Sequence, residues 1–135
     1  MSVIEEAVQK IMVDDAGIGT LAANRIYPQI LPQGATLPAI TWQRISGSHL
    51  GDLGGEDILA HPRLQINCWA ATVSAASDLR DAVRAALVDY TGVVLAVVIS
   101  HISLEDDGDL FEPSVSSKEE RRFGRRLDFI VWHEE

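Results

Sequence analysis

The sequence predicts an α+β domain in which a small, mostly antiparallel sheet is flanked by two main helices. Apolar residues recur at helical spacing over 3–13 and again from Thr72 or Ser74 to about Tyr90. They alternate with a period of two over 39–46, 63–70 and 120–133. The connections after the second helix are short, which favours antiparallel pairing of the last strands.

In the first helix, Val3, Ile4, Ala7, Val8, Ile11 and Met12 form one face, and Glu5, Glu6, Gln9 and Lys10 cover the other. Ser2 with Glu5 makes a capping-box pattern, and Asp14, Asp15 and Gly17 end the helix. A short helical turn near 20–23 and a brief extended piece at 25–27 follow. Pro28, Pro32, Gly34 and Pro38 then exclude any regular element. The strand at 39–46 puts Ile40 and Trp42 on one face, and Thr41, Gln43 and Ile45 on the other.

Residues 47–60 contain Gly47, Gly51, Gly54 and Gly55 with Asp52, Glu56 and Asp57, and read as a long loop suited to binding or assembly. On the strand at 63–70, Leu64, Ile66 and Cys68 alternate with Arg63, Gln65, Asn67 and Trp69. The second helix carries the stripe Ala75, Ala76, Leu79, Ala82, Val83, Ala86, Leu87 and Tyr90, and Gly92 stops it. Residues 93–104 are apolar on both parities in their first half. They read as a central strand covered on both sides, or one whose second face meets a partner chain. A turn near 106–109, an extended piece at 110–111 and a break at 113–117 precede the last strand. There Phe123, Leu127, Phe129 and Val131 share one parity, and Ile130 and Trp132 the other.

All of this fits one domain over residues 1–135, since 135 residues bury a sizeable core without disulfides or metal. Cys68 is the single cysteine, so no internal disulfide or cysteine cluster can form. On strand parity it is a small buried hydrophobe rather than a nucleophile. The opening residues lack the basic and apolar regions of a signal peptide, and the apolar run 93–99 is too short to span a membrane. The expectation is a chain made in the cytoplasm. Twenty acidic residues against 11 basic ones give a net charge of −9, which disfavours holding nucleic acid.

The search for chemistry returns little. His49, His61, His101 and His133 show no metal-ligand spacing and read as partly exposed polar residues. The serines lie in no nucleophile elbow, and residues 51–55 have the wrong spacing for a phosphate loop. Glu105, Asp106, Asp107, Asp109 and Glu112 lack the calcium-loop pattern and read first as a solvated acidic turn, then as an assembly surface. A small acidic hydrolase using Asp106, Asp107 or Asp109 is the remote alternative. Lys118, Arg121, Arg122, Arg125 and Arg126 gather in the last strand, interrupted by Glu119, Glu120 and Asp128. Ion pairing with the acidic segment, in this chain or a neighbouring copy, is favoured over DNA binding.

A family resemblance rests on an ordered set of segments. They are Asn24-Arg25-Ile26-Tyr27-Pro28, 31–41, 63–70, the helix around 82–87, Glu105-Asp106, Leu110-Phe111-Glu112-Pro113 and 126–132. In these the chain resembles the tail-completion or tail-terminator proteins of long-tailed bacteriophages and phage-like gene transfer agents. The resemblance covers nearly the whole chain and implies no enzyme activity and no cofactor. It implies a ring of six copies on the head-proximal end of the tail tube, assembled in the bacterial host cytoplasm. The ring would stop tube growth, join the tube to the head connector and pass DNA without binding it. A head-side connector or adaptor of the same particle is the alternative.

The interface residues expected on this reading are Arg25, Tyr27, Leu50, Leu53, Ile58, Leu59, Arg121, Arg122, Arg125 and Arg126. The acids expected at a channel or interface are Asp52, Glu56, Asp57, Glu105, Asp106, Asp107 and Asp109.

Overall fold

The apolar stripe of residues 3–13 becomes helix α1, Val3–Asp14, in a computed structural model of the chain. The structure describes residues 3–32, 34–46, 49–50, 59–112 and 122–134. Ile4, Ala7, Val8, Ile11 and Met12 are buried, while Glu6, Lys10 and Asp14 face out and Lys10 pairs with Asp14 at 2.8 Å. The Ser2 cap lies outside the described residues. Glu5 Oε1 accepts from Arg44 Nη1 at 3.1 Å.

The first helix ends at Asp14 as expected, but a second helix, α2 (Ala16–Ala22), begins at once. The reason is local: the Asp15 carboxylate accepts from Ile18 N at 2.9 Å and so caps the new helix. The turn expected at 20–23 is therefore the last part of a full helix. Strand β1 (Ile26–Pro28) follows, then an irregular segment to Pro38 as the prolines require.

Strands β2 (Ala39–Ser46) and β5 (Arg63–Ala70) have the anticipated bounds and pair antiparallel. The expected loop between them is partly ordered sheet. β3 (His49–Leu50) and β4 (Leu59–Ala60) pair with each other, and β4 continues onto the last strand. Only residues 47–48 and 51–58 of that stretch lie outside the described residues.

Helix α3, Val73–Leu87, is capped by Thr72, whose hydroxyl accepts from Ala75 N at 3.1 Å. It stops short of Tyr90 because the chain turns there, with Asp89 at φ 62°. The apolar run that follows is not one strand. β6 (Gly92–Val94) turns at Leu95 and Ala96 into β7 (Val97–Glu112), so 93–104 is a hairpin rather than a central strand. Nor does a turn interrupt 106–109, where β7 runs straight through. The irregular register between Leu104 and Asp106 leaves Glu105 as an extra residue, a bulge that bends the strand without ending it. Strand β8, Arg122–Glu134, completes the sheet.

The sheet runs β1-β2-β5-β8-β7-β6, with β3 and β4 extending the β2 and β5 side. Among the described residues only β1 and β2 pair parallel, and the other pairs are antiparallel. Further register shifts at Arg44/Ser46 and Ile99/His101 add bend to the native twist, and the sheet curls. Helix α3 packs on β5, β7 and β8, and α1 reaches β1 at one lip of the curl and β6 and β7 at the other. The core lies between, built from the α1 stripe with Ile18, Ile40, Ile66, Leu79, Val83, Ile102, Leu127 and Phe129. Cys68 sits in it as expected, fully buried, and burial pushes its thiol up to about 12 although Arg80 pulls the other way.

Candidate assembly surfaces

Strand parity sends Arg63, Gln65, Asn67 and Trp69 of β5 to the sheet face away from the core, beside Thr41, Arg126 and Asp128. These polar groups satisfy one another. Trp69 Nε1 donates to Thr41 Oγ1 at 3.0 Å, and Gln65 Nε2 to Asn67 Oδ1 at 3.0 Å. Asp128, only 5% exposed, accepts from Arg63 Nη2 at 2.9 Å and Nε at 3.2 Å. Its other oxygen lies 2.9 Å from Arg126 Nη1.

The acidic and basic segments meet within one chain. Antiparallel register sets Asp109 opposite Arg125 and Gly108 opposite Arg126. Arg125 pairs with Asp109, and Arg126 Nη2 reaches Asp106 Oδ2 at 3.2 Å. Loss of hydration would lower the Arg126 pKa, but the hydrogen bonds it donates to Asp128 and Asp106, with the negative charge of both, outweigh this and hold the guanidinium above its ordinary value. Gly108 leaves room for that guanidinium: a Cβ there would stand 2.8 Å from Arg126 Nη2 and push it aside. Glu105 accepts from Ser103 Oγ at 2.8 Å, while Asp107 is exposed. Arg122 stands opposite Glu112 in the β7–β8 register. These pairs set the register of β7 on β8, work that the sequence had equally allowed between copies.

Of the other expected interface residues, Arg25 is tied into its own chain. Its guanidinium donates to Pro38 O at 2.9 Å and Leu21 O at 3.4 Å, fastening the proline segment to the end of α2. Tyr27 is half-buried on β1. Leu50 and Leu59 are placed in β3 and β4 by their backbones. Asp52, Leu53, Glu56, Asp57, Ile58 and Arg121 lie outside the described residues.

Two further surfaces lie at the lips of the sheet, the first within the run that the sequence read as able to meet a partner chain. At one lip of the sheet, Val93 and Val98 stand directly opposite each other, 66% and 38% exposed, with Leu95 47% exposed at the tip. The inward face of the same hairpin buries Val97 and Ile99. The signal was present in the apolar run of both parities. At the other lip, an open cleft of about 540 Å³ lies between α1, β2 and the end of β1. It is lined by Glu5, Pro28, Gln29, Ile30, Gln43 and Arg44, with Ile30 75% exposed.

The histidines differ from expectation in one case. His61 stacks on Trp132 with centroids 4.6 Å apart, and His101 lies half-exposed 3.6 Å from Asp89. His133 is buried rather than partly exposed, its Nδ1 beside Glu134 O at 2.9 Å. The odd parity of β8 points it inward with Val131. Among the described residues, no three His, Cys, Asp or Glu side chains are grouped to hold a metal ion. No helix among them is long and apolar enough to cross a membrane.

Comparison with known proteins finds both a family and a shared fold. Residues 6–134 match the family model described as "Tail completion protein gp17". A chain from a solved structure entitled "Virion of native gene transfer agent (GTA) particle" superposes with a TM-score of 0.69 at 18% identity. The match covers 98% of this chain and 95% of that one, a likeness of fold. No curated protein matches.

Proposed function

The chain belongs to the gp17 family of tail completion proteins, and on that premise we propose that it forms a ring closing the head-proximal end of a phage-type tail tube. In this reading copies meet head to tail, six to a ring, halt tube polymerisation and present a surface to the head connector. The observation that carries it is the family match over 6–134, supported by a fold shared along nearly its whole length with a chain of a gene transfer agent virion.

The physics of the chain suits the role. Successive copies in a closed ring use two different surfaces, which leaves no contact unused. DNA must slide through such a ring without being held, and a net charge of −9 repels phosphate. Asp106 and Asp109 are paired with Arg126 and Arg125, so this repulsion comes from the net excess of acids over the whole chain rather than from those two. The same pairing removes the motive for a hydrolase, whose acid and base would need a substrate cleft between them rather than guanidinium partners.

Incubating the purified protein with growing tail tubes and imaging them in negative stain tests the proposal. The expected result is density at one end of each tube and a halt to elongation. Tubes that stay uncapped and keep growing would sink it. Binding to portal complexes with no tube-end binding would select the head-side connector instead.

A further inference from the structure

We propose that the β6–β7 hairpin is the knob of a head-to-tail contact between copies of this chain, seated in the neighbouring copy's cleft beside β1. The inference rests on the ring reading above and names the surfaces that make the ring.

The hairpin is apolar on both faces, yet only one face has a partner in its own chain. Val97 and Ile99 pack into the core; Val93, Leu95 and Val98 face solvent. The tip strengthens the case. Leu95 and Ala96 take φ of 50° and 64°, the left-handed region in which a two-residue hairpin turn favours Asn-Gly. A chain selected only for folding gains by placing those residues there. This one holds a leucine in a strained position and presents it to water, and strain of that kind persists where a surface is used.

The cleft at the opposite lip fits as receptor. At about 540 Å³ it has room for a leucine and its flanking valines, and Ile30 supplies an apolar contact. Strand addition is not the mode of contact there. Pro28 has no N–H, its carbonyl already accepts from Ile30 N at 2.7 Å, and Ile26 N donates to Asn24 O at 2.8 Å. The β1 edge is thus closed to a further strand, leaving side chains to make the contact.

Charge selects a second copy as the occupant. Chains of net charge −9 repel each other over most of their surface. The hairpin face carries no charge, and in the cleft Glu5 and Arg44 cancel each other at 3.1 Å. At these two surfaces identical acidic chains meet without adding local like-charge repulsion to that of their net charge. Because the surfaces differ, the contact is heterologous, the kind that closes rings.

The variants Leu95→Cys and Ile30→Cys, each adding one exposed thiol and treated with a short bis-maleimide linker, test the contact, since buried Cys68 does not compete. The expected result is a covalent dimer when the two variants are mixed, and none from either alone, in solution or on tail tubes. A dimer from Leu95→Cys alone means a symmetric contact and overturns the proposal. Linkage to tube subunits only, or no linkage in either setting, also overturns it.

Leu95→Glu should weaken self-association at least about tenfold, as loss of a central apolar anchor does. Ile45→Glu, at an equally exposed site on the β2 bulge, should change it by less than about twofold. Equal effects of the two would contradict the inference. Thermal melts of each variant exclude misfolding. Cross-linking without tube capping would refute the ring-terminator role and spare the contact; capping without cross-linking would do the reverse.

Discussion

At the scale of residues, Asp128 is worth more than its neighbours in the charged strip. It is 5% exposed and holds two guanidinium groups, so removing its charge deprives half-buried Arg63 of its carboxylate and leaves Arg126 with Asp106 alone. Breaking a fully buried pair costs several kcal/mol, and the partial exposure of both arginines reduces this. Asp128→Asn should cost about 1–3 kcal/mol in urea unfolding. Asp109→Asn removes an exposed partner of Arg125 and should cost no more than about 0.5 kcal/mol. Equal losses would show that burial adds nothing to the worth of the Asp128 pairs. Cys68 gives a second residue-scale prediction. Its thiol is raised by burial from 9.0 to about 12, so the folded state resists ionisation that the unfolded chain undergoes. The stability this represents is complete below pH 9.0 and is lost as pH rises toward 12. The slope is at most about 1.4 kcal/mol per pH unit. Comparing wild type with Cys68→Ala at successive pH values isolates the term, and a difference independent of pH up to about 11 would refute it.

At the scale of elements, the sequence made legible what burial writes into it and missed what individual side chains decide. Helices α1 and α3 and strands β2, β5 and β8 were readable because each buries a regular stripe. Helix α2 was not, because the same Asp15 that reads as a terminator is an N-cap once the chain turns at that point. Acidic residues with a glycine at 105–109 read as a turn, but in the fold each carboxylate that leaves water finds an arginine on β8, and a bulge absorbs the extra residue. The charged half of the candidate site was therefore visible as composition, while its partners within the chain followed only from register. The hairpin shows the same limit. Seven apolar residues over 93–99 look like one buried strand, since nothing in Leu95-Ala96 advertises a turn. That misfit carries a prediction. Replacing Leu95-Ala96 by Asn-Gly relieves two left-handed φ values and should raise monomer stability by about 1 kcal/mol, measured by the thermal or urea midpoint. The same variant should lose self-association. A variant that is more stable and still assembles would show that the leucine at the tip has no partner.

At the scale of the whole molecule, the distribution of charge fixes the sign of the salt response. Two forces could join copies of a chain of net charge −9. If ion pairs between the 105–109 acids of one copy and the arginines of β8 in the next held the ring, salt would screen them and assembly would weaken. The structure has already matched Arg125 with Asp109, and Arg126 with Asp106 and Asp128, inside each copy. Reserving them for a neighbour would mean breaking those pairs first. What remains between copies is mutual repulsion of net negative charge and the burial of uncharged surface. Repulsion is screened as the Debye length falls from about 30 Å at 0.01 M salt to about 8 Å at 0.15 M, while apolar burial is not weakened by it. Self-association followed by sedimentation velocity should therefore strengthen as sodium chloride rises through that range. Association that weakens with salt would mean the charged strips open and exchange partners between copies. In that event the ring would be built on β7 and β8 rather than on the two lips of the sheet.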